Sequence, residues 1–172
     1  MKQRLFISLL CAVVLFVAGC SGEKKPDGMP ALHKTKLTFT QGGAPLADAK
    51  ITLFADNAAN TQWTSGGVTD SNGVIQLKTL GKYDGVPEGT YKVTVSKTET
   101  EGTAEEVVVS DDVSKKPAAS SGGGAKSYYL VDSKHRSAAT TELVLEVKSG
   151  TANDKAFDLG PAFRELIPVF KD

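Results

Sequence analysis

Hydrophobic and polar residues alternate with a period of two along most of the chain after residue 34. In Lys36-Leu37-Thr38-Phe39-Thr40, the apolar pair shares one face and the polar residues share the other. Ala49, Ile51 and Leu53 alternate with Lys50 and Thr52, and Ile75 and Leu77 with Val74, Gln76 and Lys78. Tyr91, Val93 and Val95 alternate with Lys92, Thr94 and Ser96. Leu143, Leu145 and Val147 do the same among Glu142, Val144, Glu146 and Lys148, and Phe157 and Leu159 continue the pattern briefly. Short alternating runs mark strands with one face buried and the other in water. Val107–Val109 and Tyr128–Val131 join them by their β-branched and aromatic composition. The strand count is about seven or eight. The parity of each run predicts a core of Leu37, Phe39, Ile51, Leu53, Ile75, Leu77, Tyr91, Val93, Val95, Leu143, Leu145 and Val147.

Turn signals fall between the runs. Gln41-Gly42-Gly43-Ala44-Pro45 separates the first two strands, Asn72-Gly73 precedes Val74, and Pro87-Glu88-Gly89 leads into Tyr91. Closely spaced strands with such turns predict an all-β fold, an antiparallel Ig-like or transthyretin-like β-sandwich of about seven strands. No stretch after residue 20 carries a sustained helical stripe. Pro161 to Ile167 has the make-up of a C-terminal helical turn or two, with proline at the first helical position. Thr98 to Glu106 is acidic and polar, and residues 111–126 (DDVSKKPAASSGGGAK) are nearly free of apolar side chains and read as a disordered loop.

The first twenty residues follow a different logic. Lys2 and Arg4 precede an apolar run from Leu5 to Val17, which ends in Val17-Ala18-Gly19-Cys20. The run is shorter than the ~20 apolar residues a membrane-crossing helix needs. A charged start, a short apolar stretch and small residues at its exit describe a secretory signal peptide. The small triplet ending in cysteine resembles the lipobox of bacterial lipoproteins. That resemblance implies cleavage after residue 19 and lipid on Cys20, which would anchor the chain to a membrane. Ser21 stands where an aspartate favours inner-membrane retention, so the resemblance points to the outer membrane, facing the periplasm or the surface. The expected organisation is a signal peptide over 1–19, a flexible lipidated tether over 20–33, a sandwich over 34–160 and a tail over 161–172. Stretched out, Ser21 to Ala31 would hold the domain about 35 Å from the bilayer, at ~3.3 Å per residue.

Cleavage would leave 153 residues with a formal charge of −2, since Lys2 and Arg4 leave with the signal. A slightly acidic chain offers no footprint for nucleic acid. Cys11 would also be lost and Cys20 blocked, which excludes disulfides, thiolate catalysis and cysteine-ligated metal. No cofactor is implied by any motif.

Three blocks, Gly43-x-Pro45-Leu46-Ala47-x-Ala49-x-Ile51-x-Leu53, Thr69-Asp70-x-Asn72-Gly73 and Gly85-Val86-Pro87-x-Gly89-x-Tyr91-x-Val93-x-Val95, resemble the carboxypeptidase regulatory-like domain over residues 34–97. The family is transthyretin-like in fold. The region from Tyr128-Tyr129 to Phe157-Asp158-Leu159 resembles the tail of small bacterial lipoproteins of the same type. Asp70, Asn72, Gly73, Gly89 and Tyr91 all have turn-making or core-filling work to do, so the resemblance speaks to shape more than to activity.

Candidate chemistry is sparse. His33 followed by Gly43-x-Pro45 faintly resembles the transthyretin-like hydroxyisourate hydrolases, but the chain lacks their C-terminal Tyr-Arg-Gly-Ser. A hydrolase would need His33, His135 and an arginine such as Arg136 or Arg164 to converge. His135, between Lys134 and Arg136, reads as a solvated loop residue. Asp70-x-Asn72-Gly73 resembles a fragment of a calcium loop but lacks the terminal bidentate glutamate. Lys36 and Asn153 are candidates for an intramolecular isopeptide, although alternation puts Lys36 on the polar side. Trp63, Tyr128 and Tyr129 are the aromatics available as a carbohydrate platform. The reading is a non-enzymatic, lipid-anchored module that binds an unidentified protein or glycan or has a structural role; a small periplasmic hydrolase or ligand-binding protein is the alternative.

Overall fold

The computed structural model describes residues 24–102 and 125–168 of the 172-residue chain. It is an all-β sandwich with one short helix. The strands are β1 (Leu32–His33), β2 (Thr35–Gln41), β3 (Ala44–Pro45), β4 (Lys50–Ala55), β5 (Ser65–Val68), β6 (Val74–Gln76), β7 (Lys78–Thr79) and β8 (Tyr83–Asp84). They continue with β9 (Val86–Pro87), β10 (Gly89–Ser96), β11 (Thr98–Glu101), β12 (Lys126–Tyr129), β13 (Val144–Val147), β14 (Asn153–Asp158) and β15 (Glu165–Leu166). Helix α1 (Ser133–Arg136) lies between β12 and β13. The Asp132 carboxylate caps it by accepting from the Lys134 N–H at 2.9 Å.

One layer is a six-stranded antiparallel sheet in the order β13-β10-β4-β5-β7-β8. The other is built on β2, with β14 along one flank and β6 and β3 sharing the other. The side chains between the layers are those that parity assigns to the interior. Leu37, Phe39, Ile51, Leu53, Ile75, Leu77, Tyr91, Val93, Val95, Leu145 and Val147 are buried, and Leu143 packs against them half-buried. The register explains why: Tyr91 faces Ala55 and Leu145, Val93 faces Leu53, and Val95 faces Ile51 across neighbouring strands.

One pairing departs from the antiparallel pattern. β14 runs parallel to β2, with Phe157 opposite Phe39 and their rings stacked 5.4 Å apart. Alternation at Phe157 and Leu159 marks an inward face equally well for either direction, so only the fold decides it.

The turns follow from their residues. Asp70 Oδ1 accepts from the N–H groups of Asn72 and Val74, both at 2.9 Å, which closes the turn before β6. Gly73 sits at φ +71, where a Cβ would collide with the Phe39 carbonyl.

One expectation is corrected. Residues 161–167 contain β15, not a helical turn, because Glu165 and Leu166 pair with Tyr129 and Tyr128 at the edge of a three-stranded sheet, β11-β12-β15. Within the acidic stretch beginning at Thr98, β11 forms a strand. Its Glu99 and Glu101 lie on one face, where Arg164 bridges them; the Arg164–Glu99 approach is 3.7 Å. Val107–Val109 and most of the 111–126 loop lie outside the described residues.

The tether expectation also changes. β1 pairs with β9, Leu32 opposite Pro87 and His33 opposite Val86. Further back, the Tyr83 hydroxyl donates to the Lys24 carbonyl at 3.2 Å. Residues 24–33 are therefore laid against the domain.

Candidate functional site

A cleft of about 510 Å³ opens where β1 crosses the ends of β2, β8 and β14. His33, Lys36, Gln76, Asp84, Thr151 and Asp154 supply its polar lining. The β1 backbone can lie this close because Gly85, at φ +103, has no side chain; a Cβ there would press on the His33 carbonyl. Most of the cleft's charged side chains are paired within the domain, and Lys34 also lines it. Lys36 Nζ is 3.1 Å from Asp154 Oδ2, and Asp84 pairs with Lys78 at 3.5 Å. The Thr35 hydroxyl donates to the His33 carbonyl at 2.9 Å, which satisfies the nearest alcohol. Among the described residues no hydrogen bond links the His33 imidazole to a carboxylate or a hydroxyl. The cleft has room for a small ligand and holds no poised nucleophile–base pair.

His135 is elsewhere. It is only 7% exposed, on α1 beside β10, and the expectation of a solvated loop residue is overturned. Neither ring nitrogen makes a hydrogen bond; the Leu159 backbone comes near without reaching bonding geometry. Burial holds the imidazole below its ordinary pKa, Lys134 adds to the depression, and Asp132 and Glu142 oppose it. Leu159 donates its N–H to the Thr40 carbonyl, at the far end of β2 from Thr35 beside His33. Five residues of strand put roughly 17 Å between those ends. The two histidines do not share a cavity.

The arginines are occupied as well. Arg136 stacks over the Tyr129 ring at 3.7 Å and bonds Glu165 at 2.9 Å. Arg164 stacks over Tyr128 at 3.9 Å and pairs with Glu99 and Glu101. Its bond to Glu101 holds the guanidinium above its ordinary pKa. Each guanidinium covers one face of a tyrosine ring, so that face is closed to a sugar. Trp63, the third candidate, is 8% exposed and lines a partly open pocket of about 170 Å³ with Asn60 and Tyr91.

The remaining candidates resolve similarly. Asp70 spends its carboxylate on the turn, and among the described residues no three His, Cys, Asp or Glu groups converge as a metal site. Lys36 is about half-exposed and ion-paired, and Asn153 bonds the Lys148 backbone, donating to its carbonyl at 3.0 Å and accepting from its N–H at 2.9 Å. They are not placed for an isopeptide, which needs burial around an acid. Cys20 precedes the first described residue. Among the described residues no helix is long and apolar enough to cross a membrane.

Sequence reasoning missed Asn60 and Leu80. Asn60 donates to the Tyr91 hydroxyl at 3.1 Å and to the Glu88 carbonyl at 2.8 Å. Leu80 stands at φ +54 in the β7–β8 turn and is 45% exposed. The only local signal for it was a leucine beside Gly81 between two polar strands. No family model, curated protein or solved structure matches the chain.

Proposed function

We propose that the protein is a non-enzymatic β-sandwich module anchored through lipid on Cys20 to the outer membrane, with a binding or structural role at the cell envelope towards a protein or glycan. The observation that carries the non-enzymatic part is the separation of the hydrolytic candidates. His33 lines an open cleft at one end of β2, whereas His135 is buried near the other. Arg136 and Arg164 are committed to tyrosine rings and carboxylates. The anchor rests on the Val17-Ala18-Gly19-Cys20 motif behind a short apolar run. The carboxypeptidase regulatory-like resemblance supports a display scaffold, since its motif residues here form turns and core.

Fractionation of cells expressing the full chain tests the anchor. Wild type is expected in the membrane fraction and Cys20→Ala in the soluble extracytoplasmic fraction; a Cys20→Ala protein that stays with membranes overturns it. Crosslinking on intact cells tests the binding role. Recovery of no partner or glycan, together with substrate turnover by the purified domain, overturns the non-enzymatic reading.

A further inference from the structure

The described chain begins only four residues after Cys20, and it begins docked: the Lys24 carbonyl accepts from Tyr83 on β8, the edge strand of the six-stranded sheet. Four residues reach at most about 14 Å. A lipid on Cys20 would therefore hold this edge at the headgroups, instead of about 35 Å away as a fully free tether would.

The outer face beside that edge carries large exposed apolar side chains among its polar ones, with Lys50 opposite Val68 and Lys92 opposite Phe54. Phe54 and Val68 point outward from β4 and β5, 47% and 60% exposed, and Leu80 projects from the β7–β8 turn. The Leu80 N–H donates to the Thr64 carbonyl at 2.7 Å, which places the side chain over the Gly66-Gly67 stretch of β5 at the rim of a shallow 260 Å³ hollow. A left-handed backbone ordinarily takes glycine or asparagine, so a half-exposed leucine there runs against local preference. Lys78 and Lys82 flank it, and Lys24 and Lys25 follow on the docked segment. These four lysines outnumber the described acids close to them in sequence, Asp27 and Asp84.

We infer that the outer face of the six-stranded sheet at its β8 edge, tipped by Leu80, lies on a phospholipid bilayer containing anionic headgroups. The inference rests on the Cys20 anchor and adds the orientation of the domain. The apolar tip enters the interfacial region, and the lysines meet the headgroups.

The test uses the full-length lipidated protein in phosphatidylcholine vesicles with added phosphatidylglycerol. With Cys20 acylated, a single introduced cysteine can carry a nitroxide. Leu80→Cys and Val68→Cys report on the proposed face, and Ala139→Cys, beyond the opposite edge of the sheet, serves as the aqueous control. The ratio of collision with oxygen to collision with a water-soluble nickel reagent is expected to be several-fold higher at 80 and 68 than at 139. Leu80→Asn suits the left-handed backbone and is expected to keep the fold while lowering the ratio at Val68→Cys. Vesicle-bound protein with position 80 as aqueous as position 139 overturns the orientation and leaves the anchor standing. Concentration-dependent immobilisation without lipid contact would assign the face to a second copy and also overturn it. Absence of acyl chains on Cys20 overturns the anchor and the orientation together.

Discussion

At the scale of single residues, Tyr91 shows how a core position also closes a loop. Its ring is buried, and its hydroxyl donates to the Pro87 carbonyl at 2.8 Å while accepting from Asn60 at 3.1 Å. The chain bend at Pro87–Gly89 is thereby tied to the strand that follows it and to the 3-10 turn Ala58–Asn60. Burial pushes the phenol up to about 12, tempered by the Asn60 bond that favours the phenolate. The unfolded chain ionises its tyrosine first, near pH 10, so stability is full below that value and falls as pH rises towards about 12. Tyr91→Phe is expected to lower unfolding stability by ~1–3 kcal/mol, since two buried polar groups lose their partner. It is also expected to remove this group's part of the alkaline loss. Urea titrations at neutral and alkaline pH check both; an unchanged midpoint at neutral pH would refute the structural role.

At the scale of elements, strand parity decides what each substitution does. Leu145 is 1% exposed and faces Tyr91, whereas Glu146 beside it faces outward opposite Thr90. Leu145→Asp would bury a carboxylate with no partner, and the domain is expected not to fold. Glu146→Lys, one position on, is expected to shift stability by less than about 0.5 kcal/mol, as exposed changes ordinarily do. Circular dichroism and soluble yield compare the two. A folded Leu145→Asp protein would mean that the register is wrong. The strands that alternation revealed are those with one wet face. β11 is wholly exposed and β15 is two residues long, so neither leaves a periodic trace. Arg164 across Glu99 and Glu101, and Arg136 beside Glu165, hold that small sheet through pairs that are remote in sequence.

At the scale of the whole molecule, α1 and the loop after it cover the part of β10 beyond β13. The Val93 N–H donates to the Leu143 carbonyl, and the Thr141 hydroxyl donates to the Val93 carbonyl at 2.8 Å. This closure buries His135. Because its pKa is lowered in the folded state, the unfolded chain takes the proton first. Stability is full above about pH 6.5 and falls as pH drops through that value until the folded group also titrates. His135→Phe is expected to flatten the stability profile between about pH 7 and 5, where histidine is the side chain whose ordinary pKa falls. Denaturant midpoints across that range provide the check, and an equally steep profile in the variant would exclude His135 as its source.

The core, the layer class and the main turns were legible in the amino-acid order. A strand's inward face is written every second residue, and Asp70-x-Asn72-Gly73 closes its turn with its own atoms. Such features depend on neighbours within a few residues. The parallel run of β14 beside β2, the docking of residues 24–33, the covering of both tyrosines by arginine and the burial of His135 belonged to tertiary structure alone. Each depends on segments brought together from distant parts of the chain, and local periodicity is the same whichever partner a strand meets. His135, flanked by two cations, shows the difference: its neighbours in sequence argue for water, and its neighbours in space exclude it.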